Sequence, residues 1–128
     1  MKYGISRTLD RDFDEVNAEV RVALAEEGFG VVTEIDMQAT LLTKIGVEID
    51  RQIILGVCNP KFAHRALQAE PSIGLLLPCN VVIREVDGKT IVEMINAQMM
   101  AQITEGPEMG QIADEVSERL STALASLK

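Results

Sequence analysis

Two apolar runs facing each other across Asp87-Gly88 constrain this chain more than any other feature. Val81-Val82-Ile83-Arg84-Glu85-Val86 and Thr90-Ile91-Val92-Glu93-Met94-Ile95 are rich in β-branched residues. An Asp-Gly pair between two such runs predicts a β-hairpin. Around it the apolar spacing alternates between strand and helix. Tyr3, Ile5 and Leu9 mark a strand over Lys2 to Leu9. Asp12 followed by Glu15 is a capping-box arrangement, after which Phe13, Val16, Val20, Ala23 and Leu24 recur at helical spacing until Gly28 supplies a stop. Val31 to Ile35 reads as a second strand and Met37 to Ile45 as a short helix ended by Gly46.

The nearly continuous apolar run Gln52 to Cys58 predicts a centrally placed strand. Asn59 then stands where a cap belongs, and Pro60 suits a first helical position because its missing N–H has no intrahelical partner to lose. That helix is expected to run to about Glu70, where Pro71 stops it, and Ser72 to Leu77 is expected to return as extended chain. A short helical element near Ala97 to Ile103 precedes Pro107. Beyond it Met109, Ile112, Val116, Leu120, Ala123 and Leu127 trace one apolar stripe. Strands and helices in this order predict an α+β fold: a mostly antiparallel sheet with helices packed on one face.

At 128 residues the chain matches the commonest domain size, so residues 1–128 read as one domain. A net charge of −8 repels phosphate backbones, and no cluster of Lys and Arg with interleaved aromatics offsets it. Nucleic acid and anionic membrane surfaces are therefore not expected partners. The longest strongly apolar stretch, Ile73 to Leu77, is far too short to span a bilayer. No apolar run of signal-peptide length follows Met1, which gives an expectation of a cytoplasmic protein whose two cysteines rest as thiols.

The polar constellation worth pursuing surrounds those cysteines. Gly56-Val57-Cys58-Asn59-Pro60 lies at one end of a strand and Pro78-Cys79-Asn80-Val81 at the start of another. If the two strands are antiparallel, both cysteines fall at one end of the sheet; if parallel, a strand length of roughly 17–20 Å separates them. The intervening helix and its return favour the antiparallel case.

Together with Leu75-Leu76-Leu77, these two segments make the chain resemble the bacterial and archaeal family called domain of unknown function 302, over essentially its whole length. The resemblance implies a two-layer fold of the TATA-binding-protein-like class and a homodimer, and it implies no activity. In that family an Asp-Pro pair is usual after the last strand; Asn96-Ala97 stands here instead, so a role for that carboxylate does not carry over.

The candidate site is thus Cys58, Asn59, Pro60, Pro78, Cys79 and Asn80, with no catalytic residue and no metal ligand assigned and no cofactor identified. The plainest reading is packing: cysteine behaves as a small hydrophobe, and asparagine satisfies turn backbone. Three functional readings compete with it. A small ligand in an apolar groove suits the run of methionines Met94, Met99, Met100 and Met109. Thiol redox chemistry, as an oxidoreductase or redox sensor, gains from Cys58 standing before a helix N-terminus but lacks a Cys-x-x-Cys pair. Soft-metal binding by Cys58 and Cys79 is short of ligands, since His64 is the only histidine. Hydrolytic and phosphate motifs are absent, and acid pairs such as Glu26-Glu27 read as solvated helix surface. A non-enzymatic small-ligand-binding or accessory homodimer is the expected function.

Overall fold

The computed structural model describes all 128 residues. Its elements run β1 (Gly4–Leu9), α1 (Phe13–Glu26), β2 (Gly30–Asp36), α2 (Met37–Ile45), β3 (Gln52–Cys58), α3 (Pro60–Ala69), a 3₁₀ turn (Pro71–Leu76), β4 (Cys79–Val86), β5 (Lys89–Ile95), α4 (Gln98–Ile103) and α5 (Pro107–Ala125). Every pairing in the five-stranded sheet is antiparallel, in the order β1-β5-β4-β3-β2.

The hairpin forms the middle of the sheet. Asp87 and Gly88 both adopt positive φ, 51° and 77°, the backbone that a two-residue hairpin turn demands. β3, expected to be central, is interior but stands one place off: β4 holds the middle, with β3 and β5 on either side. Sequence-distant β1 completes the far edge by pairing with β5, Gly4 opposite Ile95 and Leu9 opposite Thr90.

Alternation along the strands decides which face is covered. Leu55 and Val57 on β3, Val81 and Ile83 on β4, and Val92 and Met94 on β5 are buried beneath α1, α3 and α5. Their neighbours Ile54, Val82 and Ile91 point to the other face, which no helix closes, and they are only half-buried. α1 begins as its spacing requires, with the Asp12 carboxylate accepting from the Glu15 N–H at 3.2 Å. α5 is tied to the opposite end of the chain by Arg7, whose guanidinium donates to the carbonyls of Leu124, Ala125 and Leu127 at 3.0, 3.3 and 2.6 Å. These are C-terminal carbonyls that have no partner within the helix.

Two expectations are corrected. Ser72 to Leu77 does not return as extended chain: Pro71–Leu76 coils into a 3₁₀ turn that buries Ile73 and leaves Leu75 exposed. Pro71 at its start fixes φ and needs no N–H partner, and a short apolar run carries no period by which strand and turn are told apart. Asn59 occupies the cap position of α3 but makes no side-chain bond to the helix. Its amide instead donates across the molecule to the Glu27 carbonyl at 3.3 Å.

Candidate functional site

The antiparallel register of β3 and β4 brings the two cysteine segments to one end of the sheet. Val57 lies directly opposite Cys79 and Gly56 opposite Asn80, so Cys58 is one residue from the position facing Cys79. Both thiols are free. They wall the same cleft, a largely apolar hollow of about 150 Å³ between this end of the sheet and the helices above it.

Each element contributes a few side chains. Val57 and Cys58 come from β3, Leu77, Pro78 and Cys79 from the entry to β4, and Phe29 and Val32 from the start of β2. α3 lays Phe62, Ala63 and Ala66 along one wall, an i, i+1, i+4 set on a single helical face. Ile112 and Val116 of α5 close the opposite wall at the same i, i+4 spacing, and Met100 of α4 fills the back. Asn59 is the sole amide in the lining, and its side chain is already engaged with Glu27. No carboxylate, imidazole or hydroxyl group reaches the cleft.

Gly56 makes the close approach possible. A Cβ at this position would run into the Thr33 hydroxyl and would lie 2.6 Å from Cγ of Pro78. Without a side chain at Gly56, β2 and the Pro78 ring both close against the backbone of β3, which sets the segment carrying Cys79 in place. The Leu77–Pro78 peptide is cis.

The two thiols differ in environment. Cys79 is buried, and desolvation, reinforced by the proximity of Cys58, pushes its pKa up to about 11. It is therefore an un-ionised thiol at neutral pH, apolar in character and weak as a nucleophile. Cys58 is half-exposed at the cleft mouth.

Four of the six residues singled out by sequence, Cys58, Asn59, Pro78 and Cys79, line the cleft. Pro60 and Asn80 do not: both are exposed, Pro60 on the first turn of α3 and Asn80 on the open face of the sheet. His64 is exposed on α3 and away from the cleft. No three His, Cys, Asp or Glu side chains converge anywhere on a common point. Among the methionines, Met100 reaches the cleft while Met94 and Met109 are core. What sequence reasoning missed is the helical half of the wall, Phe62, Ala66, Ile112 and Val116. Their i, i+4 spacings were visible, but only the fold sets them against the cysteines.

A single antiparallel sheet carrying helices, with a cysteine-bordered cleft at one end, is the class of protein that this geometry defines. The family model described as "Domain of unknown function DUF302" matches residues 5–127, and the chain belongs to that family. Its structure is similar to the crystal structure of the uncharacterized conserved protein DUF302 from Bacillus stearothermophilus, with a TM-score of 0.92 and 26% sequence identity, covering 100% of both chains. No curated protein matches the sequence.

Proposed function

We propose that this protein is a non-catalytic small-ligand-binding or accessory protein that works as a homodimer, with the cleft bordered by Cys58 and Cys79 as its site. The observation that carries the reading is the lining: a hollow of about 150 Å³ whose walls are apolar apart from one engaged amide and two thiols. A cavity of this size and character holds a benzene-sized molecule. The lack of any carboxylate, imidazole or hydroxyl group in the walls supports binding over catalysis. Thermal unfolding with increasing benzyl alcohol tests it: the melting temperature rises with concentration, and Ala63→Leu, which fills the cleft, removes the rise while the protein stays folded. An unchanged melting temperature up to the solubility limit of the alcohol refutes the reading.

Support for the dimer comes from apolar surface that nothing in one chain covers. Ile54, Val82 and Ile91 are half-buried on the open sheet face, and nearby Ile35 is 45% exposed. A second copy on this face covers all four. Light scattering then gives about twice the 14.0 kDa of the chain; a single-chain mass at working concentration excludes the dimer. Placement in the TATA-binding-protein-like class is what membership of the family implies, and superposition on a member of that class tests it. A cytoplasmic location accords with two free thiols; no helix is long and apolar enough to cross a membrane.

The adjacency of Cys58 and Cys79 across β3 and β4 favours one second reading, a thiol-based redox sensor or oxidoreductase. The high pKa of Cys79 weighs against it, since a resolving thiol works best near ambient pH. Mild peroxide followed by mass analysis decides: loss of both thiols to an intramolecular disulfide supports the redox reading, and oxidation confined to Cys58 removes it.

A further inference from the structure

A second hollow opens beside the apolar cleft, and its chemistry is the opposite. Lys61, Arg65 and Arg119 line it with a single carboxylate, Glu115. Arg65 is paired with Glu115 at 2.7 Å, whereas Lys61 and Arg119 take part in no ion pair. Glu27 and Glu118 border an adjoining depression on the other side of Arg119 without closing to ion-pair distance. In a chain of net charge −8, three cations and one carboxylate around one hollow make a local excess of positive charge, which Glu27 and Glu118 in the adjoining depression reduce.

The two hollows share Asn59 and the ring of Phe62. The guanidinium carbons of Arg119 and Arg65 lie 5.4 and 5.5 Å from the centroid of that ring. Stacking on an aromatic face holds a guanidinium by cation–π attraction and leaves its N–H groups free to donate. An apolar wall and a line of unspent positive charge therefore meet at one side chain.

We infer that the ligand of the cleft is a small monocarboxylate, with an apolar tail of about six carbons in the hollow beside Cys79 and its carboxylate against Arg119 and Lys61. This rests on the reading of the cleft as a ligand site. The tail length follows from the cleft volume, which matches a single benzene ring. The headgroup follows from the charges. A planar guanidinium offers a carboxylate paired N–H donors, and a doubly charged phosphate at the same place meets about twice the repulsion from Glu27, Glu115 and Glu118 that a monocarboxylate meets. A neutral headgroup leaves the two free cations without a role.

Calorimetric titration at low ionic strength with phenylacetate, the smaller neutral benzyl alcohol, and acetate tests the inference. Phenylacetate is expected to bind about tenfold more tightly than benzyl alcohol, with acetate too weak to detect, and the advantage shrinks as salt is raised. In a Lys61→Gln/Arg119→Gln double variant phenylacetate falls to the affinity of the alcohol, and the alcohol is unaffected. Equal affinity of the two aromatic compounds for the unaltered protein overturns the inference while leaving the cleft as a binding site. So does a double variant that loses both compounds together, because the cations then support the wall instead of the ligand. Failure of both aromatic compounds to bind at millimolar concentration removes the cleft reading and this inference with it.

Discussion

α2 and α5 are held by opposite means. α2 is finished at both ends: the Asp36 carboxylate accepts from the Ala39 N–H at 2.9 Å, and Gly46, at φ 69°, donates to the Leu42 carbonyl while Val47 donates to that of Leu41. Yet it buries no side chain, and Leu42 and Ile45 are 51% and 67% exposed. α5 has no side-chain cap at its N-terminus, where Gly106 stands, and buries seven side chains from Met109 to Leu124. Local hydrogen bonding therefore marks where a helix begins and ends, while burial of its side chains, for α5 chiefly against α1, α3 and α4, is what anchors it. A nine-residue helix in water is too short to persist on local bonds alone, so α2, which buries no side chain, is the helix held least firmly by its surroundings.

The sharpest way to break this contrast is at the anchored end. Leu120→Ala on α5, fully buried, is expected to cost about 2–5 kcal/mol in urea denaturation. A loss no greater than that of a surface change denies α5 its anchoring role.

Alkaline pH probes the same packed layer through Cys79. Its folded pKa of about 11 lies above the ordinary 9.0, so below pH 9 the thiol contributes its full share of stability, and that share is lost as pH rises from 9 through 11. The span corresponds to roughly 2–3 kcal/mol, and Cys79→Ala is expected to flatten this limb of the pH–stability curve. Persistence of the limb in the variant assigns it to other groups.

Gly56→Ala sets a methyl against Thr33 and Pro78 and is expected to cost about 1–3 kcal/mol. It also shifts the Pro78 segment and weakens benzyl alcohol binding. Normal binding in a destabilised variant separates the strand contact from the cleft.

Smallest is Asp36→Ala, which removes the N-cap of α2 at a cost of about 0.5–1 kcal/mol. The effect is expected as faster amide exchange confined to α2, with the global transition almost unmoved. A drop in global stability as large as that of Leu120→Ala erases the distinction between the two helices.

Sequence periodicity located the strands and helices well because each carries its own local signal. Met37 to Ile45 with Gly46 after it, and Gln52 to Cys58, match the structure end for end. The 3₁₀ turn escaped because five apolar residues have no period, and the true partner of Asn59 escaped because Glu27 is 32 residues away. The site was half legible. That Cys58 and Cys79 share an end of the sheet followed from antiparallel pairing, which the sequence favoured. That Arg119 lies beside Phe62 depends on how α3 and α5 cross, and no spacing within either helix encodes it.

Because β1 finds its only sheet neighbour in β5, this strand stays unpaired until Lys89–Ile95 has been made. Arg7 adds to the delay, since the carbonyls it grips lie 117 to 120 residues further along the chain. Native assembly is therefore a late, non-local event, and a nascent chain stalled before the hairpin carries an unzipped edge strand, the state most in need of shelter from its neighbours.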